Sequence, residues 1–138
     1  MKMFEAQCRC GAIGLKIVGE PVVQLYCHCD DCQAAHGAAY VPAMIYPAQA
    51  IELVRGEPET MIVKATPRKR CAECGAYLFS EIAIAGVRSV SAYLLPKGEF
   101  KPQFHVQCQH ALLPIVDSLP HYKGFPPAFG GSEEFVSW

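Results

Sequence analysis

Seven of the chain's eight cysteines fall into three short groups: Cys8-Arg9-Cys10, Cys27-His28-Cys29-Asp30-Asp31-Cys32 and Cys71-Ala72-Glu73-Cys74. Thiolates one or two residues apart can reach a single ion at about 2.3 Å without straining the backbone, so the chemistry these residues offer is metal binding. The opening segment Met1-Lys2-Met3-Phe4-Glu5 has no apolar signal core, so we expect a reducing, cytoplasmic setting. There, clustered thiols mean metal more often than disulfide; a labile disulfide protein is the competing reading.

Seven ligands divide as four plus three, the counts of a closed structural zinc and of an open zinc that keeps one position free. Local sequence suggests which groups combine. Cys8-Arg9-Cys10-Gly11-Ala12 and Cys71-Ala72-Glu73-Cys74-Gly75-Ala76 share a Cys-Gly-Ala ending, in which glycine can take the positive φ of a tight knuckle. Cys8, Cys10, Cys71 and Cys74 are therefore expected to close one site, and Cys27, Cys29 and Cys32 to form the open one, giving two zincs per chain. Arg9 and the run Arg68-Lys69-Arg70 would offset thiolate charge locally, or form an ordinary solvated face.

Other polar residues near the open group have plainer readings. His36, four residues after Cys32, could complete a Cys3His site if the two share a helical face. His28 would point away from Cys27 and Cys29 in an extended segment, and Asp30 and Asp31 are expected to cap the short helix rather than act as proton acceptors. Cys108 stands outside the groups and reads as a small buried apolar residue rather than a nucleophile. Tyr40, Tyr46, Phe79 and Tyr93 could line a pocket but fit core packing better. His121 could fold over the site.

The elements that must position these residues are mostly strands. Period-two patterning and turn residues dominate, with no long helical period. A hairpin across the first knuckle is expected from Phe4–Cys8 and Ala12–Val18, then a strand at Val22–Tyr26 and one or two helical turns at Asp30–His36. Further strands are expected at Tyr40–Ile45, Ile51–Val54, Met61–Ala65, Ala76–Glu81, Val87–Leu94 and Phe104–Cys108. The segment from about 120 to 138, rich in Pro, Gly and aromatics, should be a docked irregular tail or a frayed end. One zinc-stapled all-β domain over 1–138 follows. Its 138 residues suit one domain, and 51% apolar residues against 18% charged suffice for a core. Twelve basic against thirteen acidic residues give a net charge of −1, which argues against a nucleic-acid surface. No stretch is apolar and long enough for a membrane helix, since the longest, near Val41–Ile51, holds Pro42 and Pro47. A small β domain with open edges can form a homodimer.

Taken in order, Cys8-x-Cys10-Gly11, Cys27-His28-Cys29-x-x-Cys32 and Arg68-x-x-Cys71-x-x-Cys74-Gly75 resemble the glutathione-dependent formaldehyde-activating enzyme family, which includes centromere protein V. The resemblance runs from about Phe4 to His105, where His105-Val106 matches the family's His followed by a β-branched residue. It departs at Arg70, where an aromatic residue is usual, and around Leu112-Leu113-Pro114, where a Trp is usual. The resemblance implies a β-tent fold like that of the Rab exchange factor relative. It also implies a structural zinc on Cys8, Cys10, Cys71 and Cys74 and a second zinc on Cys27, Cys29 and Cys32, with no histidine required.

The activity so implied is that of a carbon-sulfur lyase, S-(hydroxymethyl)glutathione synthase, which condenses glutathione or a similar thiol with formaldehyde or another small aldehyde. Cys27, Cys29 and Cys32 would carry the chemistry, since an open three-thiolate zinc is best matched by a fourth soft ligand. Arg68, Lys69 and Arg70 would meet the thiol's carboxylates. The alternative is a non-catalytic zinc-stabilised binding module or thiol-adduct carrier, because a fold hosts many functions.

Overall fold

Ten strands and one α-helix succeed one another in the computed structural model, which describes residues 1–138. They are β1 (Met3–Gln7), β2 (Gly14–Val18), β3 (Val23–Cys27), α1 (Asp30–His36), β4 (Val41–Pro47), β5 (Ile51–Arg55), β6 (Glu59–Val63), β7 (Thr66–Arg70), β8 (Tyr77–Ile82), β9 (Val87–Ser91) and β10 (Phe104–Val106). The fold is all-β with a single helix, as the patterning requires. No helix is long and apolar enough to cross a membrane.

The chain forms two compact units, Met1–Val23 with Met44–Phe100, and Gln24–Ala43 with Lys101–Trp138. In the first, β1 and β2 form an antiparallel hairpin with Met3 opposite Val18 and Gln7 opposite Gly14, and β5 pairs with β2 on its other side. Strands β6 to β9 make an antiparallel meander. Leu15, Ile17, Met44, Tyr46, Leu78 and Val90 are fully buried in the core of this unit. Each such side chain contributes roughly 1.5–3 kcal/mol relative to an exposed one. Cys8 and Cys71 belong to the same core.

Strand β7 departs from the sequence expectation. Thr66-Pro67-Arg68-Lys69-Arg70 reads as a charged run, yet it is an inner strand paired with β6 and β8. Long basic side chains tolerate this, because their stems lie along the sheet while their heads reach polar partners. Lys69 Nζ donates to Thr60 Oγ1 at 2.6 Å, and Arg70 Nε meets Glu59 Oε1 at 3.1 Å.

In the second unit β10 pairs with β3 in parallel, Phe104 opposite Leu25 and Val106 opposite Cys27. Leu25, Val41, Ala43, Val106 and Cys108 are buried. The C-terminal segment is docked rather than frayed. His105 N–H donates to Pro120 O at 2.9 Å, Tyr122 N–H to His105 O at 3.0 Å, and Val136 N–H to His121 O at 3.0 Å.

Candidate functional site

The two glycine knuckles of the first unit are built alike. Cys8 N–H donates to Ile13 O and Cys71 N–H to Ala76 O, each bridging five residues, while Gly11 and Gly75 donate back to Cys8 O and Cys71 O. Gly11 and Gly75 sit at φ +82° and +75°, the left-handed region that lets the chain turn amides toward sulfur. Ile13 N–H reaches Cys8 Sγ at 3.3 Å and Cys74 N–H reaches Cys71 Sγ at 3.5 Å.

The sulfurs of Cys8, Cys10, Cys71 and Cys74 all lie within 4.8 Å of one another. Cys8 to Cys10 is 3.6 Å and Cys10 to Cys71 is 3.7 Å. A disulfide needs about 2.0 Å, whereas a tetrahedron with 2.3 Å arms has edges of about 3.8 Å. The spacing therefore fits a four-thiolate zinc. Ionisation points the same way. The Ala76 amide, followed by that of Cys10, pulls the Cys74 thiol down to about 6. Cys10 is aided by the Ala12 amide, yet desolvation and its three neighbouring thiols push it up to about 12. Four crowded thiols cannot all carry charge alone, and a divalent cation resolves that conflict.

Cys27, Cys29 and Cys32 converge in the second unit, again within 4.8 Å. Cys27 ends β3, Cys29 caps α1, and Cys32 lies in its first turn. The Cys29 Sγ cap accepts from Cys32 N–H at 3.2 Å, and Cys32 Sγ lies 3.5 Å from Cys27 Sγ. Hydrogen bonding to Cys29 and Cys32, then burial, raise the Cys27 thiol well above its ordinary value. This spacing also fits a shared soft cation. His36 closes α1 but stays outside the converging set. Helix α1 buries no residue of its own. Gln33 Nε2 ties it down by donating to His28 O and to His110 O, both at 2.9 Å.

The basic run lies in the first unit with the four-cysteine site. Arg68 is buried, and its Nε has no hydrogen-bond partner. Of the aromatic candidates, Tyr46 and Phe79 are core residues, Tyr93 is exposed, and Tyr40 packs on Tyr26 and His28 with ring centres 5.4 Å apart in both pairs. Cys108 is buried, and burial pushes its thiol up to about 12, the state of an inert core residue.

A group that the spacing analysis missed lies beside the open cluster in sequence. His28 and His105 are both fully buried. His28 Nε2 meets His105 Nδ1 at 2.9 Å, and His105 Nε2 meets Asp117 Oδ2 at 2.8 Å. His121 Nε2 approaches Asp117 Oδ1 at 3.2 Å and Ile115 O at 2.7 Å. The rings of His105 and His121 stack 4.4 Å apart, and Trp138 stands edge-on to His28 and His121. Burial holds His28 down at about 4 and lowers His105 as well, so both rings are neutral at physiological pH. The partners stand 77 and 12 residues apart, so the sequence offered only separate hints: the family match at His105-Val106 and a His121 able to fold over the site.

A sequence model of glutathione-dependent formaldehyde-activating enzymes matches residues 3–110. Among solved structures, that of a Rhodobacter sphaeroides protein superposes with a TM-score of 0.55 at 18% identity, over 68% of this chain and 89% of that one. That likeness is one of fold. No curated protein matches the chain.

Proposed function

The chain belongs to the glutathione-dependent formaldehyde-activating enzyme family, and from that premise we propose that it adds a small thiol, glutathione or a close relative, to formaldehyde or another small aldehyde. In that reaction a C–S bond forms, the carbonyl becomes a hydroxyl, and the thiol's proton ends on that oxygen. The observation that supports this reading is the difference between the two clusters: four converging thiols in one, three in the other. Zinc bound by Cys27, Cys29 and Cys32 would supply Lewis acidity to a fourth, soft donor at an open position.

The chain's own part is to hold and orient. Cys29 fixes its sulfur by capping α1, which also sets Cys32, while β3 delivers Cys27. A thiol kept at a set place near these groups gains from positioning as well as from ionisation. Cys8, Cys10, Cys71 and Cys74 would hold a second, structural zinc. Arg68, Lys69 and Arg70 are our candidates for anion binding, supported by the unpartnered Nε of buried Arg68. Free thiols throughout suit a reducing compartment.

Native mass spectrometry under reducing conditions, with and without glutathione, tests the reading on the unsubstituted protein and on Cys29→Ser. The expected result is two zincs falling to one, and a glutathione adduct that disappears with Cys29. Two firmly held zincs and no adduct would overturn the thiol-activating reading in favour of a binding module.

A further inference from the structure

We propose that Asp117, acting through His105 on His28, is a positioning residue for the Cys27–Cys29–Cys32 cluster: its carboxylate fixes one tautomer along the imidazole chain and so clamps the residue that joins two of the three cysteines. This rests on the reading that the cluster holds zinc.

The proton order follows from donor and acceptor rules. An ionised carboxylate only accepts, so His105 Nε2, 2.8 Å from Asp117 Oδ2, carries the hydrogen. In a neutral ring the other nitrogen is then bare, and His105 Nδ1 accepts. His28 Nε2, 2.9 Å away, must donate to it. That leaves a lone pair on His28 Nδ1, which is buried and has no partner. A charged His28 would bury an N–H at the same place with nothing to receive it, a costlier arrangement. Leu119 N–H adds a second donor to the same carboxylate, 3.0 Å from Oδ1, while His121 Nε2 lies 3.2 Å from Oδ1 and bonds Ile115 O at 2.7 Å.

His28 is held on every other side as well. Its N–H donates to Val106 O at 3.1 Å, and its carbonyl accepts from Gln33 Nε2 at 2.9 Å. The residue between Cys27 and Cys29 is thus pinned through backbone and ring, while those two cysteines are only partly buried. Second-layer groups of this kind orient ligands, and their loss typically weakens metal binding about 10–100-fold. Asp117 lies in the C-terminal segment, beyond residues 3–110 that match the family model.

Two measurements test it. Imidazole ¹⁵N–¹H correlation spectra of the zinc-loaded protein should show His28 and His105 protonated at Nε2 and bare at Nδ1. Zinc release to a chromogenic chelator from Asp117→Ala and Asp117→Asn should be about tenfold faster or more at the three-cysteine cluster. Release from the four-cysteine site should be unchanged, which also shows that the variants remain folded. If a variant loses both zincs through unfolding, the spectra of the unsubstituted protein decide. A proton on His28 Nδ1 would overturn the proposal, as would unaltered release in a folded variant. So would a third metal on His105, Asp117 and His121, because Nε2 cannot both donate and ligate. If the unsubstituted protein holds no zinc at the cluster, the zinc reading falls by itself. Alkylation rates of Cys27 and Cys29 in the two variants then replace zinc release, and unaltered rates would overturn the role of Asp117.

Discussion

Cys74 and Cys108 carry the same functional group and stand at opposite ends of its reactivity. Cys74 is exposed and receives the amides of Ala76 and Cys10, so its thiolate is favoured near neutral pH. Cys108 is buried and titrates near 12, so it remains a thiol through the physiological range. Treated with iodoacetamide at pH 8, the folded protein should leave Cys108 unmodified, and denaturant should make it react; peptide mass mapping reads both states. Rapid labelling of native Cys108 would contradict its place in the core. Local spacing made seven cysteines legible from sequence, because ligands of one ion were packed into short groups. The same spacing hid Asp117, which meets His105 only after a twelve-residue excursion. Nothing in an isolated aspartate announces the imidazole it will face.

Short elements here depend on specific polar anchors. Helix α1 has seven residues, none buried, below the length at which a helix persists alone. Its stability comes from the Cys29 cap, the αL residue Gly37 at its end, and the paired bonds of Gln33. Replacing Gln33 by Ala removes two hydrogen bonds, each contributing about 0.5–1.5 kcal/mol. Hydrogen exchange of the α1 amides should then speed up by roughly one order of magnitude, while the β6–β9 meander keeps its protection. Equal acceleration in both would mean global destabilisation instead. The helix span Asp30–His36 was legible but its cap was not: Asp30 and Asp31 lie inside the first turn, and Cys29 takes the cap because its sulfur accepts from Cys32 N–H. Strand β7 was not, because its charged side chains mask a backbone bonded on both edges. Pairing is a property of neighbours, and a single strand's composition does not record it.

At the scale of the molecule, the burial of Cys8 and Cys71 within a core of only moderate size makes the first site part of the fold rather than an attachment to it. Structural zinc sites bind with apparent free energies of about 10–16 kcal/mol, comparable to the whole stability of a domain. In thermal unfolding monitored by circular dichroism, Cys71→Ser should lower the midpoint by many degrees and abolish its dependence on added zinc. Cys29→Ser should lower it far less. Equal losses would mean that both clusters are scaffold, against the assignment of separate roles.

The four sulfurs of the first site also differ in what they face: Cys8 and Cys71 are 1% exposed, Cys10 and Cys74 are open to solvent. An ion held there has a dry side and a wet side. Chelators, oxidants and competing thiols would approach from the wet one, so exchange would begin at Cys10 or Cys74 while the inner pair keeps its hold. A metal held there would therefore leave outward, past Cys10 and Cys74, with Cys8 and Cys71 the last to let go.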